Sequence, residues 1–236
     1  MTPDDFAAEA KLKAKFKKMF KAAGSSYSYP SSYSYEFELG RWHDQVRDGG
    51  EEGTCYTEST TAYAEWWLWM KTGEKLEISD NEIRDIGADS NGESYSSRKN
   101  KSSFYGGFPQ KSLPCIYSFN SNLDLHYWTD KQRSASCAKF KELVDRDMGG
   151  FAMRTPATND EADMKEHLFR YGPSVLTFDG HATLFCAYDS NKIYWRDSYY
   201  RSYNWTTLQS MTWDGWKSRR RSVDEMVALK KPFQNT

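Results

Sequence analysis

The sequence predicts an α+β protein, with a helical lobe at about residues 50–150 and a lobe of antiparallel strands at about residues 151–236. Three observations lead to this prediction. Apolar residues recur at helical spacing after Cys55, two segments carry a capping-box pattern, and short apolar runs rich in β-branched and aromatic residues begin after Pro173. Helices that precede strands favour an α+β arrangement over alternating βα units.

Residues 1–40 precede this domain and differ from it in composition. Residues 1–23 predict a basic amphipathic helix with six lysines from Lys11 to Lys21. Its apolar face would be formed by Phe6, Leu12, Phe16 and Phe20. We expect this face to pack on the protein, and the alternatives are a membrane-surface helix and a short pro-segment. Residues 24–35 consist mainly of Ser and Tyr, which predicts a linker or an extended arm.

Residues 55–72 form the clearest helix, with Gly73 following as a C-cap. Its helically spaced residues are Cys55, Ser59, Ala62, Tyr63, Trp66 and Met70. A capping box at 79–82 opens a short second helix, in which we expect Ile83 and Ile86 to face the core.

The next segments alternate between loop and helix. Residues 87–112 are rich in Ser, Gly, Asn and Lys and predict a loop, whereas residues 134–146 predict a helix. The inward positions of that helix would be Cys137, Phe140, Leu143 and Val144. A second capping box, at 158–161, starts a helix that should end at Tyr171, before Gly172 and Pro173.

The strand region follows this helix. Residues 174–178, 182–188 and 192–197 are short runs of apolar, β-branched and aromatic residues, which predict strands. The last two are separated only by a turn at 189–191, so they should pair as antiparallel neighbours. The basic triplet at 219–221 is too short to indicate a binding patch, and we expect a solvated turn.

Composition and charge exclude several classes of function. The net charge of −1 gives no basis for nucleic-acid binding, and no apolar run approaches the ~20 residues of a membrane-spanning helix. The four cysteines show no zinc-ligand spacing, so we expect neither a metal nor a cofactor. A disulfide between Cys115 and Cys137 is conceivable, although nothing in the sequence requires it. Because no secretory signal is evident, we expect a cytoplasmic location, with export by a non-classical or effector-type route as the alternative.

Cys55 is the candidate nucleophile. It begins the clearest helix and follows a glycine-rich turn at 49–53. The free N–H groups and partial positive charge of a helix start favour a thiolate, which is the reactive form of cysteine. The alternative is a buried structural cysteine, a common role for this residue.

His181 and Asp197 are the candidate base and its orienting group. His181 precedes an apolar strand and Asp197 ends the next one, so antiparallel pairing can bring both side chains to one edge. A nucleophile, a base and an orienting acid are the set that nucleophilic catalysis uses. His43, His126 and His167 lack such a setting, and we expect His167 to be an ordinary helix-face residue.

Two segments in the first half of the sequence resemble motifs of a known family. Residues 44–56 (DQVRDGGEEGTCY) resemble the papain and cathepsin segment in which a Gln-Gly turn precedes Cys-Gly-Ser-Cys-Trp. Residues 71–79 (KTGEKLEIS) are similar to the Leu-Ser-Glu-Gln stretch of that family. The resemblance implies that Cys55 corresponds to the nucleophile.

The second half resembles the same family. Residues 159–166 and 171–175 are similar to a helix and the following Gly-Pro-Val strand, and His181 stands in a match to Asp-His-Ala. Residues 194–199 (YWRDSY) occupy the place of Lys-Asn-Ser-Trp. The C-terminal third also resembles bacterial papain-like peptidases with a Cys-His-Asp set.

The sequence departs from the family pattern at three positions. Gly49 stands where the family has its oxyanion glutamine, Glu52 replaces a disulfide cysteine, and Asp197 replaces the usual asparagine. Loss of an oxyanion donor typically lowers kcat ~10²–10³-fold. Gln45 is therefore the candidate substitute donor.

The resemblance implies a papain-like two-lobed fold with a cleft between a helical and a β lobe. It also implies a cysteine protease that cleaves protein or peptide substrates through a Cys55–His181 ion pair and a thioester intermediate. Loss of the glutamine leaves a catalytically impaired binding protein as one alternative. Asp197 leaves a Cys-His-Asp acyltransferase or deamidase as another.

Overall fold

The computed structural model describes residues 29–35, 55–74, 76–78, 83, 107–118, 131–197, 208–221 and 224–230, with the side chains of 131–134 excepted. The chain divides into two compact units, Met1–Ser31 and Ser32–Thr236, and the architecture below belongs to the second. The helix expected at 1–23, the capping box at 79–82, Ile86 and most of the loop expected at 87–112 lie outside the described residues.

In the described part of the chain, most helices come before most strands of an antiparallel sheet, as predicted. The helices are α1 (Cys55–Thr72), α2 (Pro109–Ser118), α3 (Lys131–Met148), α4 (Glu161–Tyr171) and α5 (Trp213–Arg219). The strands are β1 (Tyr33–Ser34), β2 (Met153–Arg154), β3 (Ser174–Phe178), β4 (His181–Tyr188), β5 (Lys192–Arg196), β6 (Gln209–Thr212) and β7 (Met226–Leu229). The division into lobes near residue 150 and the cleft between them stay predictions.

The sheet is built around β4. Its strand order is β2-β7-β3-β4-β5-β6, and β1 pairs with the end of β4 through Tyr33 and Tyr188. The three predicted strands correspond to β3, β4 and β5, and the predicted antiparallel pairing of β4 with β5 is confirmed. Strands β6 and β7 and helix α5 were not predicted, because two four-residue strands and a seven-residue helix carry little periodicity.

Helix α1 has the predicted bounds, but it is buried on all sides. Every residue from Tyr56 to Leu68 is buried, because β3 and β4 pack on one side of the helix and α2 and α3 contact it as well. Buried charge is compensated locally: Glu65 Oε1 accepts the Ile78 N–H at 2.5 Å. The helix ends at Gly73, whose φ of 75° and N–H bond to the Trp69 carbonyl confirm the predicted C-cap.

Helix α2 was not predicted, and the start of α4 differs from the prediction. Residues 109–112, expected in a loop, form the first turn of α2, because Pro109 suits a first helical position and Leu113 and Ile116 bury beyond it. Helix α4 is capped by Asp160, which accepts the N–H groups of Ala162 and Asp163. The capping-box prediction at 158 was therefore wrong by two residues.

The other features of α3 and α4 follow the sequence. All four inward positions predicted for α3 are buried. Helix α4 ends at Gly172, whose φ is 88°. A Cβ there would lie 2.2 Å from the Trp66 ring, so the glycine allows α4 to end directly against α1.

Candidate active site

Cys55 is the first residue of α1 and is half-buried. The start of α1 lies against β4, and the N–H of Ala182 donates a hydrogen bond to Cys55 Sγ at 3.4 Å. As the first helical residue, Cys55 lies at the positive end of the helix dipole and among N–H groups that have no intrahelical acceptor. The sulfur therefore lies where both a peptide donor and the helix field favour negative charge.

His181 begins β4 immediately after a two-residue turn. Asp179 and Gly180 have φ values of 53° and 80°, and this turn sets Phe178 opposite His181. Asp197 follows β5, the strand on the other side of β4. His181 Nε2 donates to Asp197 Oδ1 at 2.6 Å, and the two side chains are 20% and 12% exposed. The register of two hairpins thus brings together residues that lie on different strands.

His181 is hydrogen-bonded to Asp197, and it interacts electrostatically with the Cys55 side chain. Burial alone would lower the pKa of His181, but the hydrogen bond to Asp197 and the interaction with Cys55, with the charges of both groups, raise it to about 10. His181 is therefore an imidazolium at neutral pH. The structure brings Cys55, His181 and Asp197 together, whereas Gln45 and Gly49 lie outside the described residues.

The sequence model of the papain family of cysteine proteases matches residues 36–220, which include all three of these side chains. The chain belongs to the papain family of cysteine proteases. None of the curated proteins matches it in sequence.

Solved structures of plant cysteine proteases share the fold of this papain-family protease. A Carica candamarcensis cysteine protease in complex with E-64 matches with a TM-score of 0.56 and 16% identity, over 86% of this chain and 99% of that one. The proform of the ragweed allergen Amb a 11 matches with a TM-score of 0.58 and 12% identity, over 90% and 67% of the two chains. Recombinant stem bromelain precursor matches with a TM-score of 0.56 and 12% identity, over 86% and 71%.

A glycine beside the site was missed by the sequence reasoning. A Cβ at Gly107 would lie 2.3 Å from the ring of Tyr56, the residue after Cys55. The backbone at Gly107 therefore lies directly against the ring of Tyr56, and the next residue, Phe108, is 40% exposed. A Gly-Gly pair shortly before Pro109 was the available signal, since paired glycines often mark a close backbone approach.

The described residues contain no disulfide and no cluster of metal ligands. All four cysteines fall within the described residues and none forms a disulfide, so the conceivable Cys115–Cys137 bridge is not formed. Over the same ranges, no cluster of three or more His, Cys, Asp or Glu side chains could hold a metal ion. No helix of the described chain is both long and apolar enough to cross a membrane.

His167 lies on helix α4, as expected, and its side chain is buried. It is 0% exposed and stacks on Tyr171 at 5.0 Å, and neither ring nitrogen has a hydrogen-bond partner among the residues that the structure describes. Burial, together with the charge of Arg154, lowers the pKa of His167 to about 3. His43 and His126 are outside the described ranges.

Buried neutral His167 should make the protease sensitive to acid. An unfolded histidine titrates near 6.5, so its contribution to stability is complete above that pH and is lost as pH falls towards 3. Below pH 6.5 the free energy of unfolding should fall by ~1.4 kcal/mol per pH unit, which amounts to a loss of about 2 kcal/mol at pH 5. His167→Leu should remove this loss in urea unfolding measured at pH 7.5 and 5. An equal pH dependence in both proteins would contradict the prediction.

Proposed function

We propose that this protease hydrolyses peptide bonds with Cys55 as nucleophile, His181 as acid and base, and Asp197 as the group that orients the His181 ring. The observation that supports this most is the hydrogen bond between His181 and Asp197 at 2.6 Å, next to Cys55 Sγ, which accepts the N–H of the adjacent Ala182 at 3.4 Å. Because Asp197 binds Nε2, Nδ1 is the ring nitrogen that remains available to exchange a proton with the sulfur. The ring then bridges a thiol and a carboxylate, the arrangement that activates a cysteine.

The proposed reaction has two halves. The Cys55 thiolate attacks the carbonyl carbon of the scissile bond, and the His181 imidazolium gives its proton to the leaving amine as the C–N bond breaks. This leaves an acyl thioester on Cys55 and neutral His181. His181 then takes a proton from water, the hydroxyl adds to the thioester, and the C–S bond breaks to release the acid and restore the thiolate.

The carbonyl oxygen needs hydrogen-bond donors while it carries negative charge. We propose the backbone N–H of Cys55 as one donor, since it is free of intrahelical bonds at the start of α1. The Gln45 side chain is the proposed second donor, because Gly49 stands at the position of the family's glutamine. Protein or peptide chains are the proposed substrates.

Covalent labelling tests the nucleophile directly. E-64 is bound in the Carica candamarcensis protease structure, and we expect an E-64-type probe at pH 7 to modify this chain at Cys55 many times faster than it modifies free cysteine. The site and rate of modification can be read by peptide mass. His181→Ala should lower the rate because the imidazolium no longer stabilises the thiolate. Labelling of wild type no faster than free cysteine, or at another residue, would contradict the proposal.

Acyl transfer or deamidation is the second candidate, because Asp197 replaces the family's asparagine. The thioester is common to both chemistries and only the acceptor differs. Mass spectrometry of a protein substrate separates them: hydrolysis of the chain creates new termini, whereas acyl transfer and deamidation change the mass of an intact chain. We expect new termini.

A further inference from the structure

The peptide groups of Ala182 lie at an opening in the sheet. Thr177 is the partner of Ala182 in the β3–β4 ladder, but the Thr177 N–H donates to the Glu225 carbonyl at 2.8 Å, away from β4. At such a non-hydrogen-bonded pair, the N–H and C=O of the opposite residue also point away. On the side of β4 that faces away from β3, the ladder with β5 ends at the pair Leu184 and Arg196, so it does not reach Ala182. The N–H and C=O of Ala182 therefore face the start of α1 instead of β3.

Two side chains of α1 bind these groups. The Ala182 N–H donates to Cys55 Sγ at 3.4 Å, and the Ser59 hydroxyl donates to the Ala182 carbonyl at 2.8 Å. Cys55 and Ser59 are four residues apart, so they lie on one face of the helix, one turn from each other. Ser59 is 0% exposed, so this bond is shielded from competition by water.

We propose that Ser59 is a positioning residue for the Cys55–His181 pair, an inference that rests on the proposed function of Cys55. Ala182 adjoins His181 in the chain, so holding its carbonyl fixes the start of β4 against α1. The same bond orients the Ala182 N–H towards the sulfur, where it stabilises negative charge. Without the Ser59 hydroxyl, the Ala182 carbonyl loses its donor from α1. The Ala182 N–H is then no longer held in the direction of Cys55 Sγ.

Thr60 provides a matched control. Its hydroxyl is also 0% exposed on α1, but it donates to the Tyr56 carbonyl at 2.5 Å, within the same helix. Thr60→Val removes a buried hydroxyl without touching β4. Ser59→Ala removes the bond between helix and strand, and Ser59→Thr retains a hydroxyl that can restore it.

The test follows iodoacetamide alkylation of Cys55 by peptide mass from pH 4 to pH 9 in the full chain. We expect Ser59→Ala to slow alkylation at pH 6 about tenfold, the effect of losing one hydrogen bond, and to move the acidic limb of the rate profile to higher pH. Thr60→Val should keep the wild-type profile, and Ser59→Thr should return towards it. If the Ser59 hydroxyl had only a structural role, Ser59→Ala and Thr60→Val would both change the thermal stability. Neither variant would then move the acidic limb of the alkylation rate profile.

Two results would overturn the inference, and they are distinguishable. If wild-type Cys55 reacts fast but Ser59→Ala matches it within twofold, or Thr60→Val is slowed equally, Ser59 has no positioning role although the nucleophile assignment stands. If wild-type Cys55 reacts no faster than free cysteine, the proposed function fails and this inference fails with it. Circular dichroism of each variant verifies that the fold is retained.

Discussion

Replacing Cys55 by alanine is expected to abolish peptide hydrolysis, with kcat/KM lowered about 10⁴–10⁶-fold. The sulfur is the atom that would bond to the substrate carbonyl, and it accepts the Ala182 N–H at 3.4 Å. Alanine leaves His181, Asp197 and the helix start in place, so only direct attack by water remains. The change is read from initial rates on a fluorogenic peptide.

Cys115→Ser is the control for this loss. Cys115 lies on α2, where burial raises the pKa of its thiol and its Sγ donates to the Lys111 carbonyl at 3.1 Å. Serine retains that donor, so activity should match wild type. Substantial turnover by Cys55→Ala would rule out the thioester mechanism, and inactivity of Cys115→Ser would show that the thiol on α2 is required.

Asp197→Asn is expected to move the alkaline limit of activity to lower pH by about 1–3 units, the usual effect of removing one adjacent opposite charge. The hydrogen bond to Asp197 contributes to raising the pKa of His181 to about 10. The ion pair exists while His181 is protonated and is lost as pH rises through that value. An asparagine oxygen can still accept from Nε2, so part of the activity near neutral pH should remain.

The measurement is kcat/KM on one peptide from pH 5 to pH 10.5. Asp179→Asn removes a carboxylate only two residues before His181, but this side chain is exposed and ion-paired with Arg221, so the profile should not move. A profile that shifts equally in both variants would attribute the effect to general charge rather than to the His181–Asp197 contact.

The titration of His181 should also change the stability of the folded protein with pH. Because the pKa of His181 is raised in the folded protein, its stabilisation is complete below 6.5 and is lost between 6.5 and about 10. Stability should therefore fall over that range in wild type, and less so in Asp197→Asn. Urea unfolding at pH 7 and 9.5 measures the difference.

Local patterns predicted the elements that carry the candidate site. The run from Cys55 to Gly73 has a strong helical period and a C-cap, and both of its ends agree with the structure. The strand pattern around His181 and the turn at 189–191 predicted the β4–β5 hairpin. The cap at Asp160 was missed because Thr158, Asn159 and Asp160 are all good capping residues. The Thr158 hydroxyl instead donates to the Asp224 carbonyl, a partner far away in the sequence.

By itself, the sequence determined helices α1, α3 and α4, strands β3 to β5 and the three side chains proposed for catalysis, because periodicity, caps and motifs are local properties. Only the tertiary structure decided the protonation of His181 and the burial of His167, since each depends on how much water and which charges surround the ring. The hydrogen bonds that link Cys55 and Ser59 with Ala182 were likewise decided only by the tertiary structure. They exist because α1 packs where β5 no longer pairs with β4, a contact between segments that no local pattern records.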